Sequence, residues 1–259
     1  MPLHHQTWDN YHKFAEQRAE LVVDLLRQFI PLAGIRALDY GCGQGSLARL
    51  LAQLGALVTA VDIDPNLQPL FKQTEIQFCL ANDDKWLKAT YDLIVLQDVL
   101  EHVPDADSLF AKLSQILSRK GLLYVSTPNR CSPLNFFLDP HWSLPGVALL
   151  SRPLVAFFVQ RVFHRDLRPR NDWPALLSIG QLKNLFEQHG FELSFVNTFV
   201  AQRLFQSPDS VVSHPLHLAI IGWLKQHHLE LWIFRMVNDR YGLFNRLINP
   251  TWYIIGRKK

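Results

Sequence analysis

The chain has little of what marks several special classes of protein. Its 259 residues include only three cysteines, Cys42, Cys79 and Cys131, and no CxxC pair. One cysteine is necessarily unmatched, which argues against a disulfide scaffold or a thiolate zinc site and makes a reducing, cytoplasmic setting the expectation. No apolar leader is visible, because His4, His5, Gln6 and Asp9 are polar. Nowhere does an apolar stretch reach the length of about 20 residues that a bilayer-spanning helix needs. Charge is sparse at 19% of residues, and a net charge of +3 is too small to mark a nucleic-acid partner. Internal repeats and low-complexity tracts are absent.

What the chain does have is apolar bulk in a regular local pattern. A hydrophobic fraction of 48% is that of a globular core, not of a disordered segment. Positive charge is concentrated: from Arg130 to Arg170 six arginines face two aspartates, and the rest is close to neutral. Residues 11–30 carry Phe14, Leu21, Val22, Leu25, Leu26 and Phe29 at helical spacing, which predicts an amphipathic helix stopped by Pro31 and Gly34. Strand patterns at 35–40, 57–63, 76–80, 91–97 and 122–127 then alternate with helices at 46–54, after Pro65, and at 106–117. Strands this short, apolar throughout and separated by helices belong to a parallel sheet covered on both faces.

After Pro128 the alternation breaks into an apolar, aromatic and basic stretch interrupted by Pro140, Pro145 and Pro153. A capping-box pair, Ser178 and Gln181, opens another helix, closed by Gly190. A sixth strand is expected over 191–200, then a Trp-rich insertion, then a last strand over 251–256. The organisation expected is an N-terminal helix (1–34), a cofactor-binding core (35–129), an apolar and basic cover (130–177), a core helix with strand six (178–202), a second cover (203–250) and the last strand (251–259).

The strongest local signal is Asp39-Tyr40-Gly41-Cys42-Gly43-Gln44-Gly45, between a strand and a helix. Glycines let the backbone turn sharply and approach a ligand, and the helix behind them presents unpaired N–H groups. Strand two ends in Asp62-Ile63-Asp64, beside that turn. A carboxylate there can accept both hydroxyls of a ribose, and Asp64, before Pro65, suits a helix cap. Both a nicotinamide dinucleotide and S-adenosylmethionine contain such a ribose. The spacing GxGxG, without the third glycine of GxGxxG, disfavours the dinucleotide.

With Asp98-Val99-Leu100-Glu101-His102-Val103 after strand four, the pattern resembles the class I S-adenosylmethionine-dependent methyltransferases. The resemblance covers roughly residues 35–129, 178–200 and the last strand. It implies a doubly wound, mostly parallel, seven-stranded Rossmann-like α/β sheet with an antiparallel last strand and helical insertions after strands five and six. It also implies that Asp39 and the Gly41-Cys42-Gly43 backbone hold the amino-acid end of S-adenosylmethionine. Asp62, with Ile63 beside it, would hold the ribose, Asp83 would lie near the adenine amine, and Gln97 or Asp98 would line the methionine side.

Asp98-x-x-Glu101-His102 is similar to the ubiquinone-biosynthesis O-methyltransferases, which carry Glu at the first position and use a divalent cation. The implied metal ligands for Mg²⁺ or Zn²⁺ are Asp98, Glu101 and His102, with the shorter Asp98 side chain as the departure. DNA base methylases carry Asn/Asp-Pro-Pro-aromatic after strand four, and Gln97-Asp98-Val99 does not match, so no nucleic acid is expected. Ser126 to Arg130 also resembles the branch whose following segment covers the substrate. In that cover His141 and His164 are the candidate catalytic bases. Apolar bulk flanked by arginines suits contact with an anionic membrane surface as a peripheral protein, and the expected substrate is a small molecule, lipid-linked or glycan-linked. A methyltransferase acting on a soluble molecule and a non-catalytic membrane scaffold are the other readings these residues allow.

Overall fold

Short apolar strands can hide both faces only if helices pack on each side, and that is how the chain folds. The computed structural model describes residues 4–142, 144–162, 173–212 and 215–259. Strands β1 (Arg36–Tyr40), β2 (Leu57–Asp62), β3 (Gln77–Leu80), β4 (Tyr91–Gln97) and β5 (Leu117–Pro128) run parallel. With β6 (Phe191–Phe195) and β7 (Thr251–Lys258) they form one seven-stranded sheet in the order β3-β2-β1-β4-β5-β7-β6. β7 is antiparallel to both of its neighbours, as expected for the last strand.

Alternate residues of the central strands separate two cores. On one face α1 (His4–Leu26) and α2 (Ser46–Gln53) bring Val22, Leu25, Leu47 and Leu51 against Ala37, Leu93 and Tyr253. On the other, α3 (Ala106–Ile116) and α6 (Ile179–Gln188) bring Phe110, Leu113, Leu182 and Phe186 against Leu38, Ile94 and Ile254. The capping box of Ser178 and Gln181 is formed at the start of α6.

The covers follow β5 and β6, as expected. The first contains α4 (Pro133–Phe137) and α5 (Arg152–Phe157), with a small core of Trp142, Leu144, Val147, Val155 and Val159. The second contains α7 (Asn197–Gln206), α8 (Pro215–Gln226), α9 (Glu230–Met236) and a π-turn at Phe244–Ile248. Among the described residues no helix is long and apolar enough to cross a membrane.

Three elements differ from the sequence pattern by more than two residues at a boundary. The first helix begins at His4 and ends at Leu26. β5 starts at Leu117, which pairs with Tyr91 ahead of a register shift. The sixth strand ends at Phe195, not residue 200, because the Asn197 side chain accepts the Tyr253 N–H at 3.0 Å and takes the place of the next backbone rung. Val200, Ala201 and Phe205 then pack as one face of α7.

Asn197 belongs to a buried amide network that clasps the covers to the sheet. The fully buried Asn245 side chain donates to the carbonyls of Asn238 (2.8 Å) and Arg240 (2.9 Å). It accepts from the Asn197 amide at 2.9 Å and the Asn249 amide at 3.1 Å. Its backbone carbonyl accepts Trp252 Nε1 at 2.7 Å. Asn245→Ala would leave several of these groups buried without partners, each costing about 1–3 kcal/mol. The variant is expected to lose about 3 kcal/mol or more in urea unfolding; a loss within about 0.5 kcal/mol, the size of an ordinary surface change, would show that the network carries no stability.

Candidate active site

The site is built where β1 and β4 end side by side and the connecting chain departs in opposite directions. Gly41, Gly43 and Gly45 after β1 have φ of +79°, +49° and +80°. Gly41 is doubly constrained, since a Cβ there would collide with the Val99 side chain. The Asp62 carboxylate at the end of β2 accepts the N–H of Gly43 at 2.8 Å and that of Asp64 at 3.1 Å, fixing the turn. Asp64 caps the following 3₁₀ turn through the Asn66 N–H at 2.9 Å, as its place before Pro65 predicts. Cys42 is buried within the turn, where loss of hydration pushes its thiol pKa up.

Asp39, on β1 beneath the turn, is buried, and its Oδ2 has no hydrogen-bond partner among the described residues. Burial and, second, the nearby Asp62 raise its pKa to about 7.

Asp98, directly after β4, adopts φ +54°, a left-handed conformation. Its N–H donates to the carbonyl and hydroxyl oxygens of Ser126, both at 3.0 Å, and its Oδ1 accepts the Ser126 hydroxyl at 2.8 Å. Its other oxygen accepts from the Arg18 guanidinium of α1, which also donates to the Tyr253 hydroxyl at 2.7 Å. The sequence pattern missed Arg18. Its only sequence signal is a charge among the apolar positions of an amphipathic helix.

The expected ligand set of Asp98, Glu101 and His102 does not assemble. Convergence at i, i+3 and i+4 presumes an α-helix, whereas Leu100–His102 is a single 3₁₀ turn and Asp98 lies outside it, turned to Arg18. His141 of the first cover takes the vacated place. The ligating atoms of Glu101, His102 and His141 lie within 4.8 Å of one another. Glu101 is buried and accepts the Thr127 hydroxyl at 3.0 Å. Burial, with Asp98 adding and His102 opposing, raises the Glu101 pKa to about 7. His141 Nε2 is 3.9 Å from Glu101, and the two imidazoles meet edge to face at 4.9 Å between centroids. Asp139 places His141 by accepting its backbone N–H at 2.9 Å and that of Trp142 at 2.8 Å.

One cavity of about 680 Å³ joins these parts. Asp39, Gly41, Cys42 and Gly43 line one end, and Glu101, His102 and His141 line the other, with Gln97, Asp98 and Arg18 between. Asp62 sits behind Gly43, and Ile63 is exposed. Asp83 lies off the cavity, capping a 3₁₀ turn through the Lys85 N–H at 3.1 Å and pairing with Lys85 Nζ at 2.7 Å. His164 lies outside the described residues.

A glycine turn leading into a helix, an acid ending the next strand, and this strand order with its antiparallel last strand define the class I S-adenosylmethionine-dependent methyltransferases. A family model described as a methyltransferase domain matches residues 14–194, and the chain belongs to that family.

Its curated relatives include a ubiquinone biosynthesis O-methyltransferase of Xylella fastidiosa, 36% identical over 121 residues, covering 42% of this chain and 48% of that protein. A protein of the same name from Albidiferax ferrireducens is 30% identical over 154 residues, covering 52% and 58%. The chain thus spans about half the length of the curated relatives it matches. Among solved structures, an S-adenosylmethionine-dependent methyltransferase from Mesorhizobium loti aligns with a TM-score of 0.56 at 18% identity, covering 91% of this chain and 96% of that one. The plantazolicin methyltransferase BamL aligns at 0.55 and 15% identity, covering 99% and 92%. At these identities the likeness to the two structures is one of fold.

Asp39 yields a pH test on the ligand-free protein. A carboxyl whose pKa is higher folded than unfolded favours folding while it is protonated. That contribution is complete below its ordinary pKa of 3.8 and is lost as pH rises through about 7. Unfolding free energy is therefore expected to fall between these limits, by no more than about 1.4 kcal/mol per pH unit from this one group. Asp39→Asn should flatten the curve; equal slopes for the two proteins would remove Asp39 as the cause.

Proposed function

We propose that the chain methylates an oxygen on a lipid-tailed or glycan-linked small molecule, using S-adenosylmethionine. The observation that supports this reading is one cavity with Asp39 and the Gly41–Gly43 turn at one end and His102 and His141 at the other, its wall including Leu134 and Leu138, which are also exposed to solvent. The buried Asp39 Oδ2 and Arg18 Nε lack partners among the described residues. Opposite in sign and on the same cavity, they suit the ammonium and carboxylate of a bound amino-acid moiety. Asp62 and Ile63 would face the ribose, Asp83 the adenine side, and Gln97 and Asp98 the methionine chain. S-adenosylmethionine, when bound, supplies a methyl group already activated by a positively charged sulfur.

What remains for the protein is alignment, exclusion of water and removal of a proton. In this reading His141 or His102 takes the proton from the acceptor hydroxyl, and Glu101 beside them favours the resulting imidazolium. Residues of both covers line the cavity. Oxygen as the acceptor atom is supported by the names of the curated relatives.

The tail is supported by the cavity wall. Leu134 and Leu138 line it while each remains 40% exposed, and Phe137 between them is 64% exposed. α4 is bonded through Ser132 and Asn135 to the segment carrying the exposed Leu247 and Ile248. Trp223, Trp232 and Phe157 are also exposed on the covers, as are Arg161, Lys225, Arg235 and Arg246. Apolar anchors mixed with cations suit an anionic membrane.

The test is transfer of labelled methyl to catechols with and without a prenyl tail, presented in anionic vesicles. Turnover is expected to favour the tailed acceptor, and Leu134→Ser with Leu138→Ser should reduce that preference about tenfold or more, at about 0.8 kcal/mol per buried CH₂ lost. An unchanged preference for the tailed acceptor in the double variant, or no preference in the wild type, would rule out the wall at Leu134 and Leu138 as a tail site.

A divalent cation at Glu101, His102 and His141 is a second reading, favoured by the clustering of those donor atoms. Exhaustive chelation should then abolish turnover and Mg²⁺ or Zn²⁺ should restore it, whereas unchanged turnover would leave the histidines as bases only.

A further inference from the structure

The turn that carries Glu101 and His102 is held from outside. At the C-terminal end of a helical turn the last carbonyls have no partner within the turn. Here one guanidinium collects them. Arg152 Nη2 donates to the carbonyls of Glu101 at 2.8 Å and Val103 at 2.6 Å. Its Nη1 donates to the Trp173 carbonyl at 2.6 Å and reaches the His102 carbonyl at 3.5 Å. The Ala175 N–H adds a bond to the Glu101 carbonyl at 2.9 Å. Collecting carbonyls from two segments at once needs a planar fork of fixed donors, which arginine has and lysine lacks.

Arg152 is the first residue of α5, in the first cover. That same cover supplies His141, set in place by Asp139. One side of the cluster therefore comes from the cover, and the other has its backbone fixed by the cover. The cofactor end of the cavity is held differently, by β1, β2 and the start of α2.

We propose that Arg152 is a positioning residue for the Glu101–His102–His141 cluster, so that seating of the first cover assembles the acceptor end of the cavity and leaves the cofactor end unchanged. The kinetic part of this inference rests on the methyl-transfer reading above. Arg152 touches neither substrate nor cofactor in this scheme and acts through the backbone it holds.

The experiment compares Arg152→Ala and Arg152→Lys with the full wild-type chain in three measurements. Affinity for S-adenosylhomocysteine by calorimetry is expected to stay within about twofold, and kcat on a catechol probe to fall about 100-fold with KM little changed, as misplacement of a reacting group predicts. Added guanidinium ion should recover part of kcat in Arg152→Ala and none in wild type, and lysine should not substitute. The ring resonances of His102 and His141, by histidine-selective labelling, should move in both variants. If the alanine variant does not fold, the lysine variant carries all three measurements. Unmoved ring resonances with normal cofactor affinity would overturn the proposal. Absence of wild-type turnover on every probe would count against the methyl-transfer reading, while the ring resonances would still decide whether Arg152 positions the cluster.

Discussion

The sheet reverses its direction of winding between β1 and β4, and the rest of the molecule answers to that reversal. The chain leaving β1 goes to α2 on one face, and the chain leaving β4 goes to α3 on the other. Neither connection crosses the gap between the two strand ends, so a crevice opens there. Glycines let the β1 turn approach it closely. The two covers, emitted where β5 and β6 end, lie over it and deepen it into a cavity.

A deep cavity makes charge expensive, and the protein handles Asp98, Glu101 and Asp39 there in three ways. Asp98 is neutralised by Arg18 and bonded by Ser126. Glu101 keeps one hydroxyl donor, Thr127, and two imidazoles nearby. Asp39 keeps an oxygen without a partner among the described residues. Desolvation raises the pKa of Asp39 and Glu101 to about 7 in each case, so both are poised between charge states near neutrality. A ligand cation arriving beside Asp39 would meet a group that gains from being ionised, which is how an incomplete site differs from a merely stable one.

Much of this was legible in the residues because the signals were local. The Asp39 to Gly45 turn, Asp62 at a strand end, the alternation of strands and helices and the Ser178 capping box each occupy a few consecutive positions. What was illegible depended on distance or on one dihedral angle. Arg18 meets Asp98 from eighty positions away. The spacing of Asp98, Glu101 and His102 suggested three ligands on one helical face, and a left-handed Asp98 breaks that geometry. His141 was visible as a histidine, but its arrival beside Glu101 depends on the path of a cover with little regular pattern. The early end of β6 depends on the Asn197 side chain imitating a backbone rung, which no strand propensity encodes.

The position of β7 bears on how such a chain can be made. It follows the other six strands in chain order, yet it lies between β5 and β6, with partners on both sides. Until it leaves the ribosome, β5 and β6 each present an unpaired edge, and pairing them with one another would bury the slot that β7 must fill. Tyr253, which receives Arg18 from the first helix, travels on the same late strand. The nascent protein can therefore form its glycine turn early but cannot close its sheet, or bond its first helix to Tyr253, until β7 has been made. Edges left unpaired during that interval are templates for pairing with other chains.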